Sequence, residues 1–471
     1  MGRLKLFLYL LPLLVSSTSQ QAAAAPPPEA AVNTHVDVVA DLERLTDSTF
    51  RFWRQYGLDK DRGGFHGTLD TAGTPIQPWE KGLVQTARHA WTFSYYHKLG
   101  GTNTDSPSAA TMAQSAYSFL MEKLLDRTTG LFYWTVSQDG AQVVSSAKVL
   151  YGQWFAIYAA AMYGDAFSSS DAKSKAMECF TAVDRAWHNS STGGYNHLLS
   201  NSIDDAGESN LVFDVSSNPH AVISELNPGS TQPDKILPTT LNDVLHGIEA
   251  LSMLYKVKPE GQVKDRLLEL LRIFCVQMPT SDGVIYGEYI PGPPSQPWKP
   301  ADNTILDYGH MIEGSWLVSE SVEDLLAVGA ISPSLASQYQ DAMFTLGAKA
   351  VEYGYDKTHG GFFATGMPGK YPTSDAKIWW TQAEGCVGLW NLYLRSGKNH
   401  MYYEMLVDTL DFIEKYLVDP KYGEMYWQVE SNGVNNPESS PHPGIKGNKW
   451  KASYHNLRML LLLPRRIKSG V

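Results

Sequence analysis

Asp59-Lys60-Asp61-Arg62-Gly63-Gly64-Phe65 is one of six variations on a single turn. The same pattern returns as Asp126-Arg127-Thr128-Thr129-Gly130-Leu131-Phe132 and as Asn189-Ser190-Ser191-Thr192-Gly193-Gly194-Tyr195. It returns again as Asp282-Gly283-Val284-Ile285-Tyr286, Asp356-Lys357-Thr358-His359-Gly360-Gly361-Phe362 and Asp419-Pro420-Lys421-Tyr422-Gly423-Glu424-Met425. A polar turn residue, one or two glycines and an apolar or aromatic strand-like pair read as the tip of a short β-hairpin. The first glycines stand at 63, 130, 193, 283, 360 and 423, so the intervals are 67, 63, 90, 77 and 63 residues.

Between the tips, apolar residues recur every three or four positions. This spacing predicts helices over 82–98, 109–125, 152–163, 241–255, 263–276, 313–328, 333–352 and 401–416. Ser332 can cap the helix at 333, and Pro333 suits its first position. The unit is therefore tip, helix, helix, six times over. Six such pairs closing on themselves make an all-α (α/α)6 barrel of twelve helices, alternate helices forming the inner ring and the tips gathering at one end. An open solenoid is the competing arrangement, but it favours more uniform periods and a simpler composition. The 90-residue interval marks an insertion, and the Ser-, Asn-, Asp-, Gly- and Pro-rich stretch at 200–235 is its expected loop.

Composition narrows the function. Of 471 residues, 43% are hydrophobic, which supports a large core. The net charge of −11, with no basic block, argues against nucleic acid or an anionic membrane surface as the partner. Three cysteines, Cys179, Cys275 and Cys386, are too few for a disulfide scaffold. At the start, Arg3 and Lys5 precede an apolar run from Leu6 to Val15, and small residues follow to Ala25. That is the layout of a secretory signal peptide over 1–25, with a flexible leader over 26–40 and the barrel over 41–465. A secreted protein is expected, with an N-glycan at the sequon Asn189-Ser190-Ser191 if the host glycosylates.

Each inner helix opens on polar or aromatic residues. The first carries Gln85 and Arg88, the second Tyr151 and Gln153, the third Asn242, His246 and Glu249. The fourth carries His310, Glu313 and Trp316, the fifth Trp379, Trp380, Gln382 and Glu384, the sixth Tyr454, His455, Asn456 and Arg458. Convergence of such groups on one axis is what a pocket needs. His246 and Glu249 are three apart, as are His310 and Glu313, so each pair shares a helix face. A carboxylate beside an imidazole fixes its tautomer and raises its basicity. Arg458, three after His455, could do the reverse or bind a substrate oxygen. A zinc site of His246, His310 and His455 with Glu313 as base is the metal alternative. No HExxH, CxxC, GxSxG, Walker or GxGxxG motif is present, which removes support from serine-hydrolase, phosphate-loop and dinucleotide chemistry.

These residues resemble the N-acylglucosamine 2-epimerase superfamily, and within it most closely the cellobiose 2-epimerases. The resemblance rests on an ordered set over residues 60–460: Gly63-Gly64-Phe65, Lys81 through Arg88 to Trp91-Thr92-Phe93-Ser94, Tyr151-Gly152-Gln153, and Asn242 through His246 to Glu249. It continues with Tyr308-Gly309-His310-Met311-Ile312-Glu313, Trp379-Trp380-Thr381-Gln382-Ala383-Glu384, and Trp450-Lys451 with Tyr454-His455-Asn456-Leu457-Arg458. Met311 stands where the family often has Asp, the insertion at 200–235 is long, and a leader is unusual in a mostly cytoplasmic family.

The resemblance implies a carbohydrate isomerase that inverts C2 of the reducing-end sugar of a β-1,4-linked disaccharide such as cellobiose. The ring opens, the C2 proton is removed to give a cis-enediolate, and a proton returns on the opposite face. It implies His310 and His455 as the acid/base pair, Glu313 orienting His310, and Arg88 and His246 stabilising the enediolate oxygen. Asn242 and Glu384 would position hydroxyls, Trp316, Trp379, Trp380 and Trp450 would stack on sugar rings, and Tyr151 and Arg458 would complete the substrate set. No cofactor and no metal is implied. The partner is a small-molecule sugar or oligosaccharide, with no nucleic acid and no membrane beyond the signal segment. A monosaccharide aldose–ketose isomerase is the nearest alternative. A glycoside hydrolase recruiting Glu313, Glu384 and Asp70, or a carbohydrate-binding protein, are the more distant ones.

Overall fold

The computed structural model describes residues 35–101, 106–196, 239–302, 304–369, 372–436 and 440–470. The signal segment at 1–25 and the inserted loop at 200–235 lie outside them. Among the described residues are twelve α-helices: α1 (His35–Phe52), α2 (Leu83–Lys98), α3 (Ala109–Phe119), α4 (Leu150–Ala166), α5 (Ser170–Trp187) and α6 (Leu241–Val257), then α7 (Gly261–Arg272), α8 (Tyr308–Ala327), α9 (Pro333–Gly354), α10 (Trp379–Arg395), α11 (His400–Phe412) and α12 (Tyr454–Ser469). Helix α1 starts inside the stretch expected as flexible leader, because Val38 and Val39 bury themselves against the barrel. None of these helices is long and apolar enough to cross a membrane.

The even-numbered helices form a closed inner ring. Each packs on the next, α2 on α4, α4 on α6, α6 on α8, α8 on α10, α10 on α12, and α12 returns to α2. Each outer helix packs on the inner helix before it, α3 on α2 through α11 on α10, and α1 completes the last pair with α12. Helices α1 and α12 therefore pack as one pair, which closes the barrel and excludes the open solenoid. Inner helices are buried nearly all round: in α4, twelve of the helix's residues are buried, whereas the amphipathic α7 buries only Val263, Leu267, Leu270 and Leu271.

The tips form as short bridged turns, Leu58 opposite Phe65, His188 opposite Tyr195, Tyr355 opposite Phe362 and Val418 opposite Met425. Where the family of turns uses a second glycine with positive φ, the sixth uses Glu424 at φ 63. That strain is offset by four buried hydrogen bonds to its carboxylate, from Trp53 Nε1 (2.7 Å), Lys451 Nζ (2.6 Å), Met425 N (3.0 Å) and Asn456 Nδ2.

A lysine that sequence reading did not single out locks each of four tips. Lys81 Nζ reaches Asp59 Oδ2 (2.8 Å) and Gly63 O (2.6 Å). Lys377 repeats this on Asp356 and Gly360, and Lys446 on Asp419 and Gly423. Lys148 pairs with Asp126 at 3.1 Å. Each aspartate also accepts backbone N–H groups of its own turn, for instance Asp356 from Thr358 and His359. A buried ion pair is retained only when its remaining hydrogen-bonding capacity is filled, and at the Lys81, Lys377 and Lys446 tips the glycine carbonyls and turn amides fill it. The tip is thereby fixed to the strand that enters the next inner helix. Those entry strands pair across units: Lys81–Gly82 with Thr135–Val136, Leu306–Asp307 with Thr365–Gly366, Ala376–Ile378 with Gln428–Glu430, and Leu69–Asp70 with Ile445–Gly447.

Candidate active site

Locked entry strands aim the N-termini of the inner helices at one mouth of the barrel. An axial cavity of about 340 Å³ opens there. Its lining includes Arg88 from α2, Tyr151 from α4, Asn242 from α6, His310 from α8, Trp379 and Trp380 from α10, Trp450 and His455. Helix N-termini carry partial positive charge, so their convergence favours an anion at the axis.

His310 sits in the first turn of α8. The helix begins at Tyr308, five residues before the expected 313, because Asp307 caps it: its Oδ1 accepts from His310 N (3.0 Å). The other oxygen, Oδ2, holds His310 Nδ1 at 2.7 Å. Burial alone would lower the imidazole pKa, but the charge and hydrogen bond of Asp307 prevail and leave it raised. His455, in the first turn of α12, has its Nδ1 on Glu384 Oε1 at 2.7 Å. It is driven well below the ordinary histidine value by burial and by the positive charges of Arg88 and Arg458. Trp380 packs against both imidazoles, its ring centroid 4.5 Å from that of His310 and 5.6 Å from that of His455.

Beneath these residues is a polar floor. Arg458 gives its guanidinium to three carboxylates, Glu249, Glu313 and Glu384, the last at 2.7 Å, and its Nη1 also to Tyr454 Oη. It lies over the rings of Trp316 (4.9 Å) and Tyr454 (4.3 Å). Three carboxylates around one guanidinium leave excess negative charge. Burial, with Glu313 and Glu249 adding to it against Arg458, pushes the Glu384 carboxyl up to about 8. His246 Nδ1 is held by Glu249 Oε2 at 2.8 Å, as their three-residue spacing implied.

The structure redistributes several expected roles. Glu313 is not the hydrogen-bond partner of His310; Asp307 is, and Glu313 pairs with Arg458. The partners are already taken: Asp307 holds His310 Nδ1 and Arg458 holds an oxygen of Glu313, whereas in α6 the same three-residue spacing does join His246 to Glu249. Arg458, Glu384 and Trp316 do not line the cavity. Trp316 is 2% exposed and donates Nε1 to Glu384 Oε2 (3.2 Å), so it supports the floor rather than facing a sugar. His246 is likewise buried behind the lining, its ring edge-on to Tyr151. Gln153 and Gln382, grouped with the pocket by sequence position, instead clamp the backbone of Phe132 and Phe362 at the tips. Arg88, Asn242, Tyr151, Trp379, Trp380 and Trp450 do reach the cavity. Arg88 Nη2 donates to Tyr151 Oη (2.7 Å), and its guanidinium packs over Phe155 at 4.5 Å.

Sequence reading missed Asp307, Thr240, Glu288 and Trp427 in the lining. Asp307 had a signal, an Asp placed where a helix cap belongs before Tyr308-Gly309-His310. Trp427 had none: it is brought beside Trp379 (4.4 Å) by the pairing of Ala376–Ile378 with Gln428–Glu430.

A closed ring of helix pairs around a cavity walled by indoles and carboxylate-held imidazoles defines a class, the (α/α)6-barrel proteins suited to carbohydrate. Within that class the chain belongs to the N-acylglucosamine 2-epimerase (GlcNAc 2-epimerase) family, whose model matches residues 63–210 and 217–457. It is similar to a cellobiose 2-epimerase of Dictyoglomus turgidum, 26% identical over 438 residues that cover 90% of this chain and 97% of that one. A cellobiose 2-epimerase of Bacteroides fragilis is 24% identical over 421 residues, 89% of this chain and 97% of the other. Among solved structures, the cellobiose 2-epimerase of Spirochaeta thermophila superposes with a TM-score of 0.73 at 29% identity, covering 94% of this chain and all of that one.

Proposed function

We propose that the protein is a disaccharide 2-epimerase, inverting C2 of the reducing-end sugar of a β-1,4-linked substrate such as cellobiose. The observation that carries this reading is the pair His310 and His455. Both line one cavity, each has Nδ1 tied to a carboxylate, and their environments push their pKa values in opposite directions. Two titratable groups driven apart in this way are suited to act as acid and base together.

The open-chain aldehyde acidifies its C2 proton, because the resulting anion delocalises onto the carbonyl oxygen. With Nδ1 donating to Glu384, neutral His455 offers Nε2 as the base. Protonated His310 returns a proton from the other side, and the roles exchange in the reverse direction. Arg88 is the guanidinium of the lining and faces the developing oxyanion together with the helix N-termini. Trp379, Trp380, Trp427 and Trp450 supply faces for pyranose rings. A two-ring substrate is favoured over a monosaccharide because the space does not end at His310. It continues past Asp307 and Glu288 as a groove to Thr304 and Ile305.

The test is product analysis by NMR after incubation with cellobiose, mannobiose, mannose and glucose. A C2-epimeric disaccharide is expected. Ketose formed from mannose alone would instead assign an aldose–ketose isomerase, and free monosaccharides released from cellobiose would assign a hydrolase.

Asp307→Asn removes the charge that raises His310. The basic limb of the pH–rate profile, where His310 loses its proton, is expected to move to lower pH, with kcat near neutrality down about tenfold, equivalent to ~1.4 kcal/mol. An unchanged basic limb would remove Asp307 from the account.

We further propose that the chain is secreted through its 1–25 segment and carries an N-glycan at Asn189. The support is the basic, apolar, small-residue order of the segment and the place of Asn189 on a tip turn. Its Nδ2 donates to Asn196 Oδ1 in the unmodified chain (2.9 Å). Intact mass of the protein from its native host, before and after glycosidase, checks both points.

A further inference from the structure

Among the buried polar atoms near the axis that lack hydrogen-bond partners within the described residues are His246 Nε2 and Glu313 Oε2. Their side chains are almost fully buried, at 1% and 0% exposure. A ring nitrogen of His246, a ring nitrogen of His310 and a carboxylate oxygen of Glu313 all lie within 4.8 Å of one another. We propose that His246, His310 and Glu313 form a binding site for a divalent transition-metal ion of borderline hardness, such as Zn²⁺ or Co²⁺, and that the bound ion arrests catalysis.

The chemistry of the donors selects the class of ion. Two imidazoles and one carboxylate suit zinc and its first-row neighbours, whereas magnesium and calcium prefer oxygen alone. The surroundings are those of a prepared ligand set. Nδ1 of His246 donates to Glu249 and Nδ1 of His310 to Asp307, which leaves Nε2 of each ring as the ligating atom, an ion at His310 displacing the proton that Nε2 otherwise carries. A carboxylate behind a ligating imidazole is the usual support for a metal-bound histidine. Arg458 occupies one oxygen of Glu313 and leaves the other.

Donors at ~2.0–2.2 Å from a tetrahedral ion stand roughly 3.4 Å apart, so the three need to close by about 1 Å or slightly more. The fourth position faces the cavity that His310 lines. The second cluster of this kind, Glu313, Glu384 and His455, is a poorer site, because Glu384 and His455 are already bonded to each other and Glu384 also to Arg458.

Binding follows from the donor geometry alone. Arrest rests on the proposed function, since the ion would take the nitrogen with which His310 exchanges its proton. The test separates the two. Co²⁺ is titrated into the full-length protein and its visible d–d absorption followed, with Zn²⁺ as competitor. One equivalent is expected to give a spectrum of low-symmetry N/O coordination that Zn²⁺ abolishes. His246→Gln and Glu313→Gln are each expected to weaken Co²⁺ at least tenfold while retaining the wild-type circular dichroism. No spectrum, or equal affinity in wild type and His246→Gln, overturns the site, and the His246→Gln comparison stands if Glu313→Gln fails to fold. In parallel, stoichiometric Zn²⁺ is expected to abolish epimerisation and EDTA to restore it. A Co²⁺ spectrum with undiminished turnover would overturn the arrest and also count against His310 as the proton-transfer group.

Discussion

His455→Asn is expected to lower kcat for epimerisation by about 10²–10⁴-fold, the usual worth of a positioned acid–base group. KM is expected to change little, because the wall of Trp379, Trp380, Trp427 and Trp450 remains in place. Asparagine keeps an amide donor toward Glu384, so the carboxyl is not stranded. The wild-type pH profile supplies an independent check. His455 is held below the ordinary histidine value and His310 above it, so forward turnover needs His455 neutral and His310 protonated. Activity therefore falls at acid pH as His455 gains its proton, and at alkaline pH as His310 loses its own. A variant with wild-type kcat, or a profile without an acid limb, would remove His455 from the reaction.

Arg458→Met is expected to destabilise the fold by about 3–5 kcal/mol, since it leaves buried carboxylates without their cation. Glu249, Glu313 and Glu384 all close on this one side chain, and Trp316 and Tyr454 sandwich it. The wild-type fold itself is expected to lose stability as pH rises. Glu384 binds its proton more tightly folded than unfolded, its pKa lying at about 8 against 4.5. Such a group favours folding fully below 4.5, and the contribution fades as pH rises through 8. Adding Glu313→Gln to Arg458→Met removes one stranded charge and is expected to recover part of the stability. Urea denaturation at pH 6 and pH 8 measures both effects. A loss below about 1 kcal/mol would mean that the floor is hydrated or held by other groups.

The barrel was legible because its repeat is punctuated by glycines that the turns demand. The phase of the inner helices was legible too: Arg88, Tyr151, Asn242, His310, Trp379, Trp380 and His455 reach the cavity, although Gln153 and Gln382 turn to the tips instead. What sequence position left open was depth. His310 lines the cavity while Glu313 and Trp316, one and two turns further along α8, lie under it. Reading that depth required the true start of α8, and so required recognising Asp307 as its cap. The tip-locking lysines were visible in principle, since 59 to 81, 126 to 148 and 356 to 377 are nearly the same interval. A single lysine in a polar stretch, however, carries no sign of burial. Trp427 reaches the cavity through strand pairing between units, which no local pattern reports.

The central claim is that two histidines serve the two faces of C2. It is tested most directly by following deuterium at C2 in D₂O with the wild type and with His455→Asn. The account predicts that the wild type places deuterium at C2 of both epimers. It predicts that the variant, left with His310, exchanges C2 hydrogen in one epimer only and forms almost none of the other. Epimerisation by the wild type without deuterium at C2, or exchange of both epimers by the variant, would contradict it.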